Sequence, residues 1–110
     1  MDHKKRLFSI KSKDIKVTID LGFEGEDLKL DGYDIGTLVS EMWGDSDYEY
    51  TITVSASELP KLYELNKVPF GEKKKLITTL AKSFSLNEAF SKFEEYLQKN
   101  KIVFTSFTYS

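Results

Sequence analysis

From Ile15 to Phe23 the chain reads IKVTIDLGF, with Ile15, Val17, Ile19, Leu21 and Phe23 apolar at every second position and Lys16, Thr18 and Asp20 between them. A period of two sends successive side chains to opposite faces, so this segment predicts a strand with one buried face. RLFSI (6–10) reads as a shorter strand before it, joined through KSKD (11–14), and DLKLDGY (27–33) as a strand after a turn at EGED (24–27). Together they predict an antiparallel meander. In DYEYTITVS (47–55), Tyr48, Tyr50, Ile52 and Val54 alternate with polar residues. Its β-branched and aromatic content makes it the clearest strand of the chain, and the alternation turns Tyr48 and Tyr50 toward the core.

Between these strands, DIGTLVSEMWG (34–44) keeps Ile35, Leu38, Val39 and Met42 at helical spacing, although Gly36, Thr37 and Val39 are poor helix formers. One or two helical turns are expected there. Helical periodicity takes over at Ser57, the expected N-cap of a first helix, with Pro60 in its first turn and Leu59, Leu62 and Leu65 on one face. After a break at VPFG (68–71), Leu76, Ile77, Leu80 and Phe84 form the apolar stripe of a second helix. Ser85 and Glu88 match the S-x-x-E capping box of a third, whose stripe is Leu86, Ala89, Phe90, Phe93 and Leu97, with Asn100 as its stop. KIVFTSFTY (101–109) predicts a closing strand.

Strands, then helices, then one strand define an α+β fold: an antiparallel sheet of about five strands, two or three C-terminal helices packed on one face, and a final C-terminal strand. No repeat or linker divides the sequence, so residues 1–110 are expected to form a single domain. No run approaches the roughly 20 apolar residues needed to span a bilayer, and no segment resembles a signal peptide. The absence of cysteine fits a reducing compartment. A cytoplasmic protein without membrane contact is expected.

The same composition narrows the chemistry. Without Cys, and with a single His at position 3 in a basic terminus, nucleophilic triads of the usual kinds and His or Cys zinc sites are excluded. Asp45, Asp47 and Glu49 open like a calcium loop, but Tyr50 stands where such a loop needs Gly and Ala56 where it needs Glu. DGYDIG lacks the spacing of a phosphate-binding glycine loop. No enzymatic activity, cofactor or metal is expected. KKR (4–6) and EKKK (72–75) are the only dense basic runs, read as a solvated terminus and a solvated helix start, so direct nucleic-acid binding is not expected either.

Charge is distributed unevenly. Residues 1–19 carry six bases against two acids, and residues 51–110 carry nine lysines against six glutamates. Between Asp20 and Tyr50 ten acids face the single base Lys29. Like charges repel at about 1 kcal/mol per pair at 4 Å in water and less in salt, so their crowding is not a demand of folding. A cationic partner would account for it, with Trp and Tyr as the customary anchors of such contacts.

The stretch LDGYDIGTLVSEMWGDSDYEYTITVSASELPKLYEL (30–65) resembles sequences of small bacterial proteins, and its character is similar to that of immunity proteins that neutralise toxins in contact-dependent inhibition. The resemblance implies a protein that occludes one cognate toxin, often a nuclease, and that offers no active-site residues to transfer. Partner-binding residues are therefore assigned from charge and residue type. Asp31, Asp34, Glu41, Asp45, Asp47 and Glu49 are expected to meet basic residues of a cationic nuclease domain, with Tyr33 and Trp43 as anchors and the protein acting as a monomer. The alternative is a non-catalytic adaptor or structural domain that docks a basic protein partner.

Overall fold

Alternating apolar residues need a surface to cover them, and the described residues meet that need with one sheet and three helices. The computed structural model describes residues 1–13, 15–36 and 47–109. Strands β1 (Asp2–Lys11), β2 (Ile15–Glu24), β3 (Asp27–Gly36) and β4 (Asp47–Val54) follow one another as neighbours, and β5 (Thr105–Tyr109) joins the outer side of β4. All four pairings are antiparallel. Between β4 and β5 the chain forms a 3-10 turn at Ala56–Glu58 and helices α1 (Leu59–Leu65), α2 (Lys73–Phe84) and α3 (Ala89–Lys99). The expected α+β architecture is the one observed. The stretch expected to be helical between Ile35 and Trp43 lies outside the described residues after Gly36, and up to Gly36 it continues β3.

The period of two decides the buried face. Val17, Ile19, Leu21 and Phe23 of β2, Leu28 and Leu30 of β3, and Tyr50, Ile52 and Val54 of β4 are all buried. Against them lie Leu76, Ile77, Leu80, Ala81 and Phe84 of α2 and Phe93 and Leu97 of α3, with Phe84 and Phe93 edge to face at 5.2 Å. Burying each such side chain contributes about 1.5–3 kcal/mol, so this layer supplies most of the driving force for folding. Toward the β1–β2 turn the cover ends. Ile10 and Ile15 have the parity of the core yet are 45% and 41% exposed.

Several boundaries differ from the expected ones for local reasons. β1 starts at Asp2 rather than at residue 6, because register shifts between Asp2 and Lys5 and between Arg6 and Phe8 carry a polar, non-alternating stretch along β2. Ser57 caps no helix; the chain passes through the 3-10 turn first, and Leu65 stays exposed. Ser85 does not open α3, since its hydroxyl donates back to the Ala81 carbonyl at the end of α2. The last strand begins at Thr105, after Ile102 has turned into the core.

Asn100 does mark the stop of α3, and α1 ends in the same way. In Asn66-Lys67-Val68 and Asn100-Lys101-Ile102 the lysine is left-handed, with φ of 55° and 56°. Lys67 N–H donates to Glu64 O and Val68 N–H to Tyr63 O; Lys101 N–H donates to Gln98 O and Ile102 N–H to Leu97 O. These are two Schellman ends, each closed by a buried apolar residue after the turn. Past the second, the Glu58 carboxylate accepts Val103 N–H at 2.8 Å and Lys61 Nζ at 2.9 Å, which aims the chain at the free edge of β4.

Candidate functional site

Among the described residues no helix covers the second face of the sheet. Alternation fixes which residues it carries: Lys16, Thr18 and Asp20 from β2, Lys29, Asp31, Tyr33 and Ile35 from β3, Glu49, Thr51 and Thr53 from β4, and Phe107 from β5. Registered pairs extend across it as rows, one running Arg6, Asp20, Asp31, Thr51, Phe107 and the next Ser9, Thr18, Tyr33, Glu49. Phe107 is 60% exposed. Asp31, Gly32, Tyr33, Lys29 and Glu49 line a shallow depression of about 330 Å³ at the centre of this face.

The fold places three of the expected partner-binding residues, Asp31, Tyr33 and Glu49, side by side here. Asp47 joins their neighbourhood through its backbone pairing with Ile35. Glu41, Trp43 and Asp45 lie outside the described residues. Asp34 has the opposite parity and points to the helix side, where its carboxylate accepts the Tyr50 hydroxyl at 3.0 Å. Burial, and then the negative charge of Asp34, push the Tyr50 hydroxyl well above the usual tyrosine range. Tyr50 in turn packs edge to face on Phe90 at 5.0 Å and lies over Gly32, its cross-strand partner. Tyr48 and Tyr50 take the parity of Ile52 and Val54, as their alternation predicts, though Tyr48 stays exposed beyond the edge of the core.

The structure also changes the account of the crowded acids, because at least five of the ten have partners that serve the fold. Arg6 Nε donates to Asp20, with Lys4 also 4.0 Å away; Lys29 reaches Glu24 at 3.0 Å and Lys73 reaches Glu26 at 3.2 Å. Asp27 accepts Ala56 N–H at 3.0 Å, tying the start of β3 to the end of β4, and Asp34 holds Tyr50. The exposed ion pairs contribute little stability, a median of about 0–1 kcal/mol each, but they cancel charge.

Asp31 is different. It sits directly opposite Asp20 on β2, and like charges in that position oppose pairing. No lysine or arginine comes within ion-pair distance of it among the described residues. Partial burial raises its carboxyl above the ordinary aspartate value, and Glu24, Asp20 and Glu49 add to the rise against the opposing pull of Lys29. The remaining excess of negative charge on the described open face is thus centred on Asp31, beside Tyr33 and in one row with Phe107.

Asp20 and Phe107 were not among the residues expected at the site, and Asp34 was. Parity in the sequence separates Asp34 from Asp31 and Tyr33 on the same strand. Nothing short of the β4–β5 register brings Phe107, 76 positions from Asp31, into its row. Among the described residues no group of three or more His, Asp or Glu side chains stands close enough to hold a metal ion, and no helix is long and apolar enough to cross a membrane. No family model matches the chain, and no curated protein or solved structure matches it either.

Proposed function

We propose that this chain is a non-enzymatic immunity protein of the cytoplasm that neutralises a cognate toxin, a cationic nuclease domain, by covering its basic groove with the open face of the sheet. The observation that carries the reading is Asp31: a half-buried carboxylate with acidic neighbours and no ion-pair partner among the described residues, on the same face as the half-buried Tyr33 and in one row with the exposed ring of Phe107. A lysine or arginine brought against that face supplies the missing counter-charge, while Tyr33 and Phe107 offer apolar area around it. Flanking acids such as Glu49 speed encounter and fix orientation.

Asp31→Lys and Glu49→Lys variants, titrated with the toxin encoded beside this gene, test the reading. Reversal at Asp31 is expected to weaken binding by about 2–5 kcal/mol, as for a central charge that loses its partner. Reversal at Glu49 is expected to slow association and flatten its salt dependence. Unchanged affinity and unchanged salt dependence in both variants would defeat the proposal. An adaptor docking a basic subunit is separated genetically: loss of an immunity protein kills only cells that hold its toxin.

A further inference from the structure

KKR at 4–6 and EKKK at 72–75 stand nearly seventy residues apart, and each taken alone is a solvated run of charge. The fold brings them together. α2 packs along β1, and between them opens a depression of about 400 Å³ lined by His3, Lys4 and Lys5 from the strand and by Lys74, Ile77 and Thr78 from the helix. We propose that this groove binds a phosphorylated small molecule of mononucleotide size, whether or not the acidic face binds a toxin.

Three features converge on that ligand. First, no carboxylate lines the groove, and among the described residues neither Lys5 nor Lys74 has an ion-pair partner. Lys4 turns its ammonium instead toward Asp20, 4.0 Å away on the open face, so Lys5 and Lys74 supply the lysine charge of the groove. The neighbouring Lys73, by contrast, is occupied by Glu26 and lies 5.2 Å from the centre of the Phe23 ring, so the lysines of one run have divided their tasks. Gathering unpaired ammonium groups costs stability through repulsion, and a phosphate with two negative charges relieves it. Secondly, Lys74 and its neighbours occupy the first turns of a twelve-residue helix, whose partial positive charge acts in the same sense. Thirdly, the floor is the buried side chain of Ile77, with the Thr78 hydroxyl beside it. Apolar floor, polar rim and a volume inside the usual 300–1,000 Å³ describe a site for an organic phosphate rather than for a bare ion.

The test is to titrate the whole protein with ATP, inorganic pyrophosphate and adenosine while following the amide resonances of residues 3–5 and 74–78. Saturable shifts confined to those residues are expected with ATP, weaker ones with pyrophosphate, and none with adenosine. A Lys5→Ala/Lys74→Ala double variant is expected to lose ATP affinity at least tenfold with its fold unchanged by circular dichroism, whereas Lys82→Ala, an exposed lysine further along α2, is expected to bind normally. Absence of saturable binding would overturn the proposal, as would equal weakening by Lys82→Ala. Tighter binding of pyrophosphate than of ATP would also overturn it, because the groove would then be a plain anion site. Preference for a single-stranded oligonucleotide over ATP at equal phosphate concentration would reassign the groove to nucleic acid.

Discussion

Leu30 and Asp31 are neighbours in sequence and opposites in circumstance. Leu30 is fully buried under the helices; Asp31 faces the uncovered side with three other carboxylates acting on it. All along β2, β3 and β4 the same division repeats. One face is chosen almost wholly for burial and the other carries no such demand, so residues that stability disfavours on the open face stand out as candidates for binding.

That contrast can be broken or sharpened by substitution. The largest effect is expected on the covered face, where Leu30→Ala should cost about 2–5 kcal/mol in denaturant unfolding through lost burial and a residual cavity. If Leu30→Ala costs no more than a surface change, the two faces do not differ as described. A smaller loss, about 1–3 kcal/mol, is expected for Gly32→Ala. The new methyl would fall inside the ring of Tyr50, and that ring cannot step aside without leaving Phe90 and Asp34. A thermal shift near zero for Gly32→Ala would show that the close approach of ring and strand is not a constraint.

The smallest effect is expected on the open face. Asp31→Asn should change stability by no more than about 0.5 kcal/mol at neutral pH, in the stabilising direction. The sign follows from linkage. Asp31 has a folded-state pKa raised above its unfolded value of about 3.9, so its favourable contribution is complete below that value and is lost as pH rises through the raised folded one. The advantage of Asp31→Asn should therefore open as pH climbs through the upper carboxylate range and close in acid. Glu24, lowered by its hydrogen bond to Lys29, and Glu58, lowered first by Val103 N–H and then by Lys61, titrate in the opposite sense. Only the difference between the two proteins, measured across pH, isolates Asp31. A variant less stable than the parent at pH 7 would mean that the carboxylate serves the fold after all.

How much of this was legible beforehand depends on the range of the interaction. The strands of the meander and the stripes of α2 and α3 are visible in the sequence because periodicity is local and burial enforces it. Parity alone also separates Asp34 from Asp31. The ion pairs that absorb Asp20 and Glu26 were not legible, since they depend on β1 lying beside β2 and on Lys73 arriving above the β2–β3 turn. The basic groove was missed for the same reason: two runs that each resemble ordinary solvated charge become a concavity only through the packing of α2 on β1. Helix starts were misplaced where Ser57 and Ser85 offer capping hydroxyls, because a 3-10 turn and the end of α2 claim those positions.

The crossover from β4 to β5 also sets an order of assembly. The hairpins β1–β2 and β2–β3 join residues close in sequence and can form within microseconds. β5 must instead wait until the fifty residues between Val54 and Thr105 have been synthesised and drawn together, the longest loop closure in the sheet. On a translating ribosome the outer edge of β4 therefore stays without its β5 partner until residues 105–109 have emerged. The row that ends at Phe107 is the last row of the sheet to close.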